Sequence, residues 1–378
     1  AQIRSHEKLD TLIAFASLFA FMCAHALLET ARDAIFLSSV PADRLPFVYI
    51  GVAAVALAIM GLQNRINRRW GGGALAGWLL ASALVTTAFW PLVTEGSVWS
   101  FYALYVWSAV AVTVVLARFF ILLGTRFTMT QAKRLYPFIG AGSVVGAIAG
   151  SALAGVLATV MPAANLLLIA AGVLAIGAVG PLLLDRGNRK ESDATPTAST
   201  SADGMVGAAT QVIASPYARR VALLALFATL TLTFTDFVFK SEVAAAVKPE
   251  DLGFFFARVY LIVNVLSLVA QLALVRPIVR KVSIAGALAV LPVLLLLGGV
   301  GVMAGGGIVA ALALKGSDGA LRHSLHRTVT ELLYVPMRDR LRTAAKLFID
   351  VAGQRGGQAL ASVAILSAVS LELPTAFY

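Results

Sequence analysis

Eleven apolar runs of bilayer length follow one another along the chain, and no other feature restricts its fold as much. They fall at about 10–38, 44–63, 74–93, 98–123, 135–158 and 163–185, then at 218–240, 252–279, 283–304, 306–334 and 342–371. A helix needs roughly 20 apolar residues to cross a hydrocarbon core about 30 Å thick. Within that core each backbone amide must be satisfied inside its own helix or in a closed barrel. The runs lack the alternation of barrel strands, so the expected fold is an all-α polytopic membrane protein. Composition agrees: 59% of the 378 residues are apolar and 13% charged, where a soluble domain carries about 25% charged residues.

The formal net charge of +11 would suggest nucleic acid on a soluble chain. Here topology accounts for most of it. Arg4 and Lys8, then Arg65, Arg68 and Arg69, then Arg126, Lys133 and Arg134 sit in alternate loops. The series continues with Arg186, Arg189, Lys190, Arg219 and Arg220, with Arg276, Arg280 and Lys281, and with Arg338, Arg340 and Arg342. The intervening loops hold few cations. By the positive-inside rule the N-terminus and the central loop of this multi-pass protein are expected on the cytoplasmic side of a plasma (inner) membrane, and no nucleic-acid partner is expected. The first residues, "AQIRSHEKLD", do not read as a cleavable signal. The one cysteine, Cys23, lies in an apolar run and reads as a small packing residue.

Residues 186–217 are rich in Ser, Thr, Ala and Asp without an apolar period, and read as a flexible cytoplasmic linker. The chain then divides into an N-terminal six-helix bundle (1–185), the linker, and a C-terminal bundle (218–378). A repeat supports two halves: "AGSVVGAIAGS" (141–151) matches "AGQRGGQALAS" (352–362) without gaps. Small residues at every fourth position let helices approach closely. The match sets the fifth span of one half against the fifth of the other, so a sixth helix of the second half is expected beyond Tyr378. Twelve helices in two parallel halves are the layout of the major facilitator fold.

A charge at mid-membrane costs at least about 2.5–3.5 kcal/mol on insertion scales and therefore faces water or a partner. Glu29, Arg32 and Asp33 share one face of the first span. Arg118 lies in the fourth, Asp236 and Lys240 in the seventh, and Arg258 opens the eighth. The tenth, "ALALKGSDGALRHSLHRTVTELLYV", carries Lys315, Asp318, Arg322, His323, His326, Arg327 and Glu331. The eleventh carries Asp350 and Arg355. Lys315, Arg322 and His326 form one helical stripe. Spans 1, 4, 7 and 10 line the central cavity of a facilitator fold, and these hold most of the buried charge. Arginine in a cavity suits phosphate or carboxylate, because the guanidinium fork grips oxygens bidentately. Plainer readings stand beside these. Arg327 with Glu331, and Asp236 with Lys240, are spaced as helix-end ion pairs. Arg258 is placed to snorkel, and the two histidines lack the companions a metal site needs. No Walker A loop, nucleophile elbow or His-Glu-x-x-His is present. The chain therefore reads as no enzyme, with no cofactor.

"QAKRLYPFIGAGSVVGAIAGS" (131–151) and "TELLYVPMRDRLRTAAKLFIDVAGQRGGQALAS" (330–362) resemble the ATP/ADP translocases of plastids and intracellular bacteria. "RDAIFLSSVPADRLPFVYI" (32–50) and "DFVFK" (236–240) are similar to the same family's first- and seventh-helix elements. The resemblance implies exchange of an adenine nucleotide by alternating access. It sets Arg32 at the family's basic position in the first helix and Asp236 at its acidic one in the seventh. Glu331, Tyr334, Pro336, Lys346 and Asp350 fall in its tenth-to-eleventh-helix motif, with Lys346 at a functional lysine. Gln131 and Thr330 stand where the family has Glu and Lys. This places the chain closer to the bacterial branch that can be fused to helical-repeat or cyclic-nucleotide-binding domains.

The expected function is transport of a nucleotide or related phosphorylated anion. The substrate-binding set is Arg32, Arg118, Asp236, Lys240, Arg258, Arg322, His326 and Lys346. The switching set is Glu29, Asp33, Gln131, Glu331 and Asp350. Phe127 or Tyr334 could stack on the base. The expected surroundings are the lipid bilayer and an anionic small molecule, with a soluble regulatory domain beyond Tyr378 possible in the parent chain. The alternatives are a proton-coupled carrier of another organic anion and a ligand-binding membrane sensor with a transporter fold.

Overall fold

The computed structural model describes residues 4, 7–67, 74–185, 202–274, 277–278, 281–349 and 353–371. Among these there are helices and no strands. The first six runs are α1 (Lys8–Ser39), α2 (Leu45–Asn67), α3 (Ala74–Thr94), α4 (Val98–Arg126), α5 (Met129–Leu157) and the pair α6 (Asn165–Gly177) and α7 (Val179–Asp185). Then come α8 (Ala202–Ala214), α9 (Pro216–Ala246), α10 (Leu252–Val269), α11 (Ile284–Gly301) and α12 (Gly307–Leu321). The described chain closes with α13 (Arg327–Leu333), α14 (Asp339–Phe348) and α15 (Gln354–Ser370). Nine described stretches are long and apolar enough to cross a membrane.

Local chemistry sets several of these boundaries. Pro41 follows α1 and biases the residue before it away from helix. At the start of α5, Thr128 Oγ1 accepts from Gln131 N at 3.4 Å and Gln131 Oε1 accepts from Thr128 N at 2.9 Å, a reciprocal cap. Ser215 caps α9, with Pro216 in the first turn. The ninth stretch, Ile284–Leu333, has 50 residues. As one helix it would be about 75 Å long, far more than a bilayer holds. Gly305 (φ 84°) and Gly307 (φ 49°) break it with backbone angles that glycine alone takes without strain. α11 then packs against α12 so tightly that a Cβ on Gly298 would lie 2.8 Å from Leu314 Cδ1.

Two segments differ from the sequence expectation. Part of the supposed linker is helix α8, because Ala208 is buried and Val212 packs in a cluster with Ala218, Val221, Tyr334, Met337, Ala345 and Ile349. Its apolar residues sit beside Gly204, Gly207 and a Ser- and Thr-rich stretch, so their period does not stand out in the sequence. The eleventh run is also not one span. It opens with α14, "DRLRTAAKLF", which is rich in charge and buries Ala344 and Ala345, and the longer apolar stretch comes only within α15.

The chain forms two compact units. Unit 1 comprises Ala1–Ser39, Arg65–Thr197 and Pro249–Leu261; unit 2 comprises Val40–Asn64, Ala198–Lys248 and Ile262–Tyr378. In unit 1 the glycines of "AGSVVGAIAGS" lay α5 directly on α1. A Cβ on Gly142, Gly146 or Gly150 would meet the carbonyl oxygens of Phe15, Phe19 and Cys23 at 2.7, 2.3 and 2.3 Å. In unit 2 the matching Gly357 of α15 lies against Thr229 of α9, with Cβ at 3.0 Å. The serines that end each repeat, Ser151 and Ser362, are both fully buried. Each donates to the carbonyl four residues back, at 2.9 and 2.7 Å. The repeated small residues are therefore packing devices that fix α1 and α9, the helices carrying the charges.

The end of α1 that carries Lys8 is tied down by ions. Arg126 Nη2 meets Asp10 Oδ2 at 2.9 Å. Glu7, 3% exposed, accepts from Arg134 Nη2 at 2.6 and 2.7 Å, from Gln131 Nε2 at 3.1 Å and from Arg4 N at 3.1 Å. Burial pushes the Glu7 carboxyl upward. The Gln131 amide, the Arg4 amide and the Arg134 cation together outweigh it and hold the group below its ordinary 4.5. A carboxylate with a depressed folded value adds stability above its unfolded value and loses it as pH falls through the folded one. The gap in melting temperature between the native chain and Glu7→Gln should thus be full at pH 7 and close below about pH 4. A gap that does not change with pH would contradict this.

Candidate functional site

Each unit holds a polar cluster within its membrane helices. In unit 1, Arg32 of α1 is 9% exposed. Its Nε donates to Asp33 Oδ1 at 3.2 Å, Nη1 to Ser108 Oγ of α4 at 3.1 Å, and Nη2 to Glu29 Oε1 at 3.4 Å. The guanidinium lies over the Tyr105 ring, 4.5 Å from its centroid, the stacked geometry that suits arginine. Asp33, with no exposed surface, also accepts from Tyr260 Oη of α10. Arg32 is thus engaged on all three nitrogens by the protein itself.

Arg118 is the opposite case. It lies ten residues beyond Ser108 on α4, about 15 Å along the axis, and is 6% exposed. Its Nε and Nη2 are buried and have no hydrogen-bond partner among the described residues. A buried guanidinium lacking acceptors costs more than one that is paired.

In unit 2, Asp236 of α9 is a hub. Its Oδ2 accepts from Lys240 Nζ at 2.8 Å and from Tyr49 Oη of α2 at 2.8 Å; its Oδ1 accepts from Lys315 Nζ of α12 at 2.7 Å. Lys240 is 2% exposed. The two ammonium groups also lie over Tyr49 and Phe239, 5.9 and 5.4 Å from the ring centroids. Further along, Asp318 and Arg322 form a two-pronged pair, and a π-helical turn, Arg322–His326, follows at once. Such turns often mark functional positions. His326 Nδ1 and Thr330 Oγ1 are buried there with no partner among the described residues.

The other sequence candidates lie elsewhere. Arg258 is exposed and stacks on Phe254 at 4.8 Å. Lys346 pairs with Glu331 at 2.6 Å and lies over Tyr334 at 5.2 Å. Glu331 therefore does not take Arg327 as its partner, because α14 brings Lys346 closer. Gln131 belongs to the α5 cap. Asp350 and the side chain of His323 lie outside the described residues. Sequence reasoning missed Tyr49, Tyr105, Ser108 and Tyr260 as members of the clusters, and placed Lys315 on a stripe without assigning it to the site. Unit 1 also contains an open cavity of about 590 Å³, lined by Ser38, Ser39, Phe101, Thr159 and Glu250 among others. None of the clustered cations lines it. Among the described residues no group of His, Cys, Asp or Glu could hold a metal ion.

Compared by sequence, the chain matches no family model and no curated protein. Compared by structure, it is similar to the nucleoside transporter NupG at 11% identity and TM-score 0.69, over 97% of this chain and 92% of that one. It is similar to a bacterial homolog of the human lysosomal transporter Spinster, captured inward-facing, at 12% identity and TM-score 0.63, over 97% and 83%. The xylose transporter XylE from E. coli aligns at 13% identity and TM-score 0.58, over 94% and 89%. The chain has the major facilitator fold.

Proposed function

We propose that this protein is a membrane transporter that carries a nucleotide or related phosphorylated anion by alternating access. Arg118 carries the reading. A guanidinium that is 6% exposed, with two nitrogens lacking acceptors, invites an oxyanion, and phosphate oxygens match its fork. The two lysines on Asp236 support it. An arriving anion can take one ammonium group while the carboxylate keeps the other, so the site exchanges partners without exposing a bare charge. The resemblance to nucleotide translocases and the fold shared with transporters of several small molecules point the same way.

The proposal has a distinctive test. Ligand that binds only the native state raises apparent stability, by about 2.7 kcal/mol at a concentration 100 times its Kd. The purified protein should melt higher with millimolar ADP or ATP and not with adenosine. Arg118→Met should melt higher than the native chain without ligand, because it removes an unsatisfied buried charge, and should lose the nucleotide shift. A native shift that persists in Arg118→Met would defeat the assignment. A second reading, proton-coupled carriage of another organic anion, is favoured by His326 Nδ1, which lacks a partner among the described residues at the end of the π-helical turn. Uptake that follows a pH gradient and is lost in His326→Gln would select it.

A further inference from the structure

The segments α2 and α10 repeat each other at the spacing that relates the two small-residue motifs. "VYIGV" (48–52) matches "VYLIV" (259–263), and Tyr49 and Tyr260 are 211 residues apart, as are Gly142 and Gly353. Each helix follows a 3₁₀ turn, Ala42–Arg44 capped by Pro41 in one case and Pro249–Asp251 in the other. Both tyrosines are buried, at 4% and 6% exposure. In unit 2, Tyr49 donates to Asp236 of α9; in unit 1, Tyr260 donates to Asp33 of α1. Each acceptor is at the same time the partner of a cation, Lys240 and Lys315 in one case and Arg32 in the other. The aspartates do not share the 211-residue register, so the repeated element is the tyrosine.

We propose that Tyr49 and Tyr260 are a pair of latches, made in this conformation and released together when the transporter changes state. The inference rests on the transport reading above but not on the identity of the cargo. A protein with two end states needs contacts present in one and absent in the other. A phenol bonded to a carboxylate suits this role. The bond is charge-assisted, and so stronger than a neutral one, yet water can replace the phenol once the helices part. The ion pairs on the same carboxylates tie α1 to itself and α9 to itself and α12. The tyrosines add α10 and α2 to those carboxylates.

Cysteine labelling tests this without any ligand. With Cys23 replaced by alanine, Ala34→Cys reports beside the Asp33 latch and Val238→Cys beside the Asp236 latch; the native side chains are 2% and 6% exposed. Tyr260→Phe and Tyr49→Phe each remove one hydroxyl and should raise the maleimide labelling rate roughly tenfold. Each should do so at both reporters. A rise confined to the reporter beside the substitution would show a local structural bond and overturn the proposal, as would no rise at all. Asp33→Asn weakens the same bond from the acceptor side and provides a second variant should Tyr260→Phe fail to fold. Because no nucleotide is present, failure here leaves the anion reading intact, and absence of a nucleotide shift leaves the latches intact.

Discussion

Asp236→Ala is expected to lower the apparent melting temperature of the purified protein by on the order of 10 °C, or to prevent its recovery from the membrane. The carboxylate takes both Lys240 and Lys315, and Lys240 is almost fully buried. Removing one partner of a buried ion pair typically costs about 3–5 kcal/mol, because the remaining charge is stranded. Here two charges lose their shared partner. Lys315→Met alone should cost less, since Asp236 keeps Lys240. Combined with Asp236→Ala it should recover part of the loss by removing one stranded ammonium. A double variant that melts no higher than Asp236→Ala would show that the lysines do not depend on that carboxylate.

Gly146→Leu is expected to be among the most damaging packing substitutions in unit 1. Even a Cβ there lies 2.3 Å from the Phe19 carbonyl oxygen and 2.9 Å from its Cα, so α1 and α5 must separate. Overpacking generally costs about 1–3 kcal/mol, and Gly146→Ala should fall in that range, with leucine beyond it. Gly140→Ala is the control. Nothing lies within 4 Å of a Cβ at that position, and alanine is the better helix former by about 1 kcal/mol. Melting temperatures measured in detergent should order as Gly140→Ala at or above the native chain, then Gly146→Ala, then Gly146→Leu. Equal values for the two alanine variants would contradict the close approach of α1 and α5. Because α1 also carries Arg32 and Asp33, the same variants should impair function in proportion to their loss of stability.

The two expectations trace how far the sequence speaks. Membrane-length runs, glycine spacing and the charges in spans 1, 4, 7 and 10 are all local patterns, and each names a helix and a face. They locate Asp236, Lys240, Arg32 and Arg118 without any structure. Which charges neutralise each other is a long-range matter. Glu331 pairs with Lys346 across a turn, not with Arg327 on its own helix, and Arg32 is held by its neighbours while Arg118 is not. Tyrosine in an apolar run looks like packing, so Tyr49 and Tyr260 are silent until their hydroxyls are seen on carboxylates. The segments that contain them, "VYIGV" and "VYLIV", are short, apolar and uncharged, and so gave no reason to compare them. The helix α8 was hidden because its apolar residues, Met205, Val206, Val212 and Ile213 among alanines, fall within a short Gly-, Ser- and Thr-rich stretch.

The composition of the two units also bears on how the protein is made. Unit 1 includes Pro249–Leu261, more than fifty residues beyond its main body. At about 5–20 residues per second, a ribosome that has finished Thr197 needs roughly 3–13 s to reach Leu261. During that time α1 to α7 are in the membrane while Asp33 still lacks the hydroxyl of Tyr260. Unit 2, for its part, must recover a helix made long before the rest of it. Each unit is therefore completed by a segment from the other end of the synthetic order, and a chaperone or insertase that shelters the early helices has a defined interval in which to act.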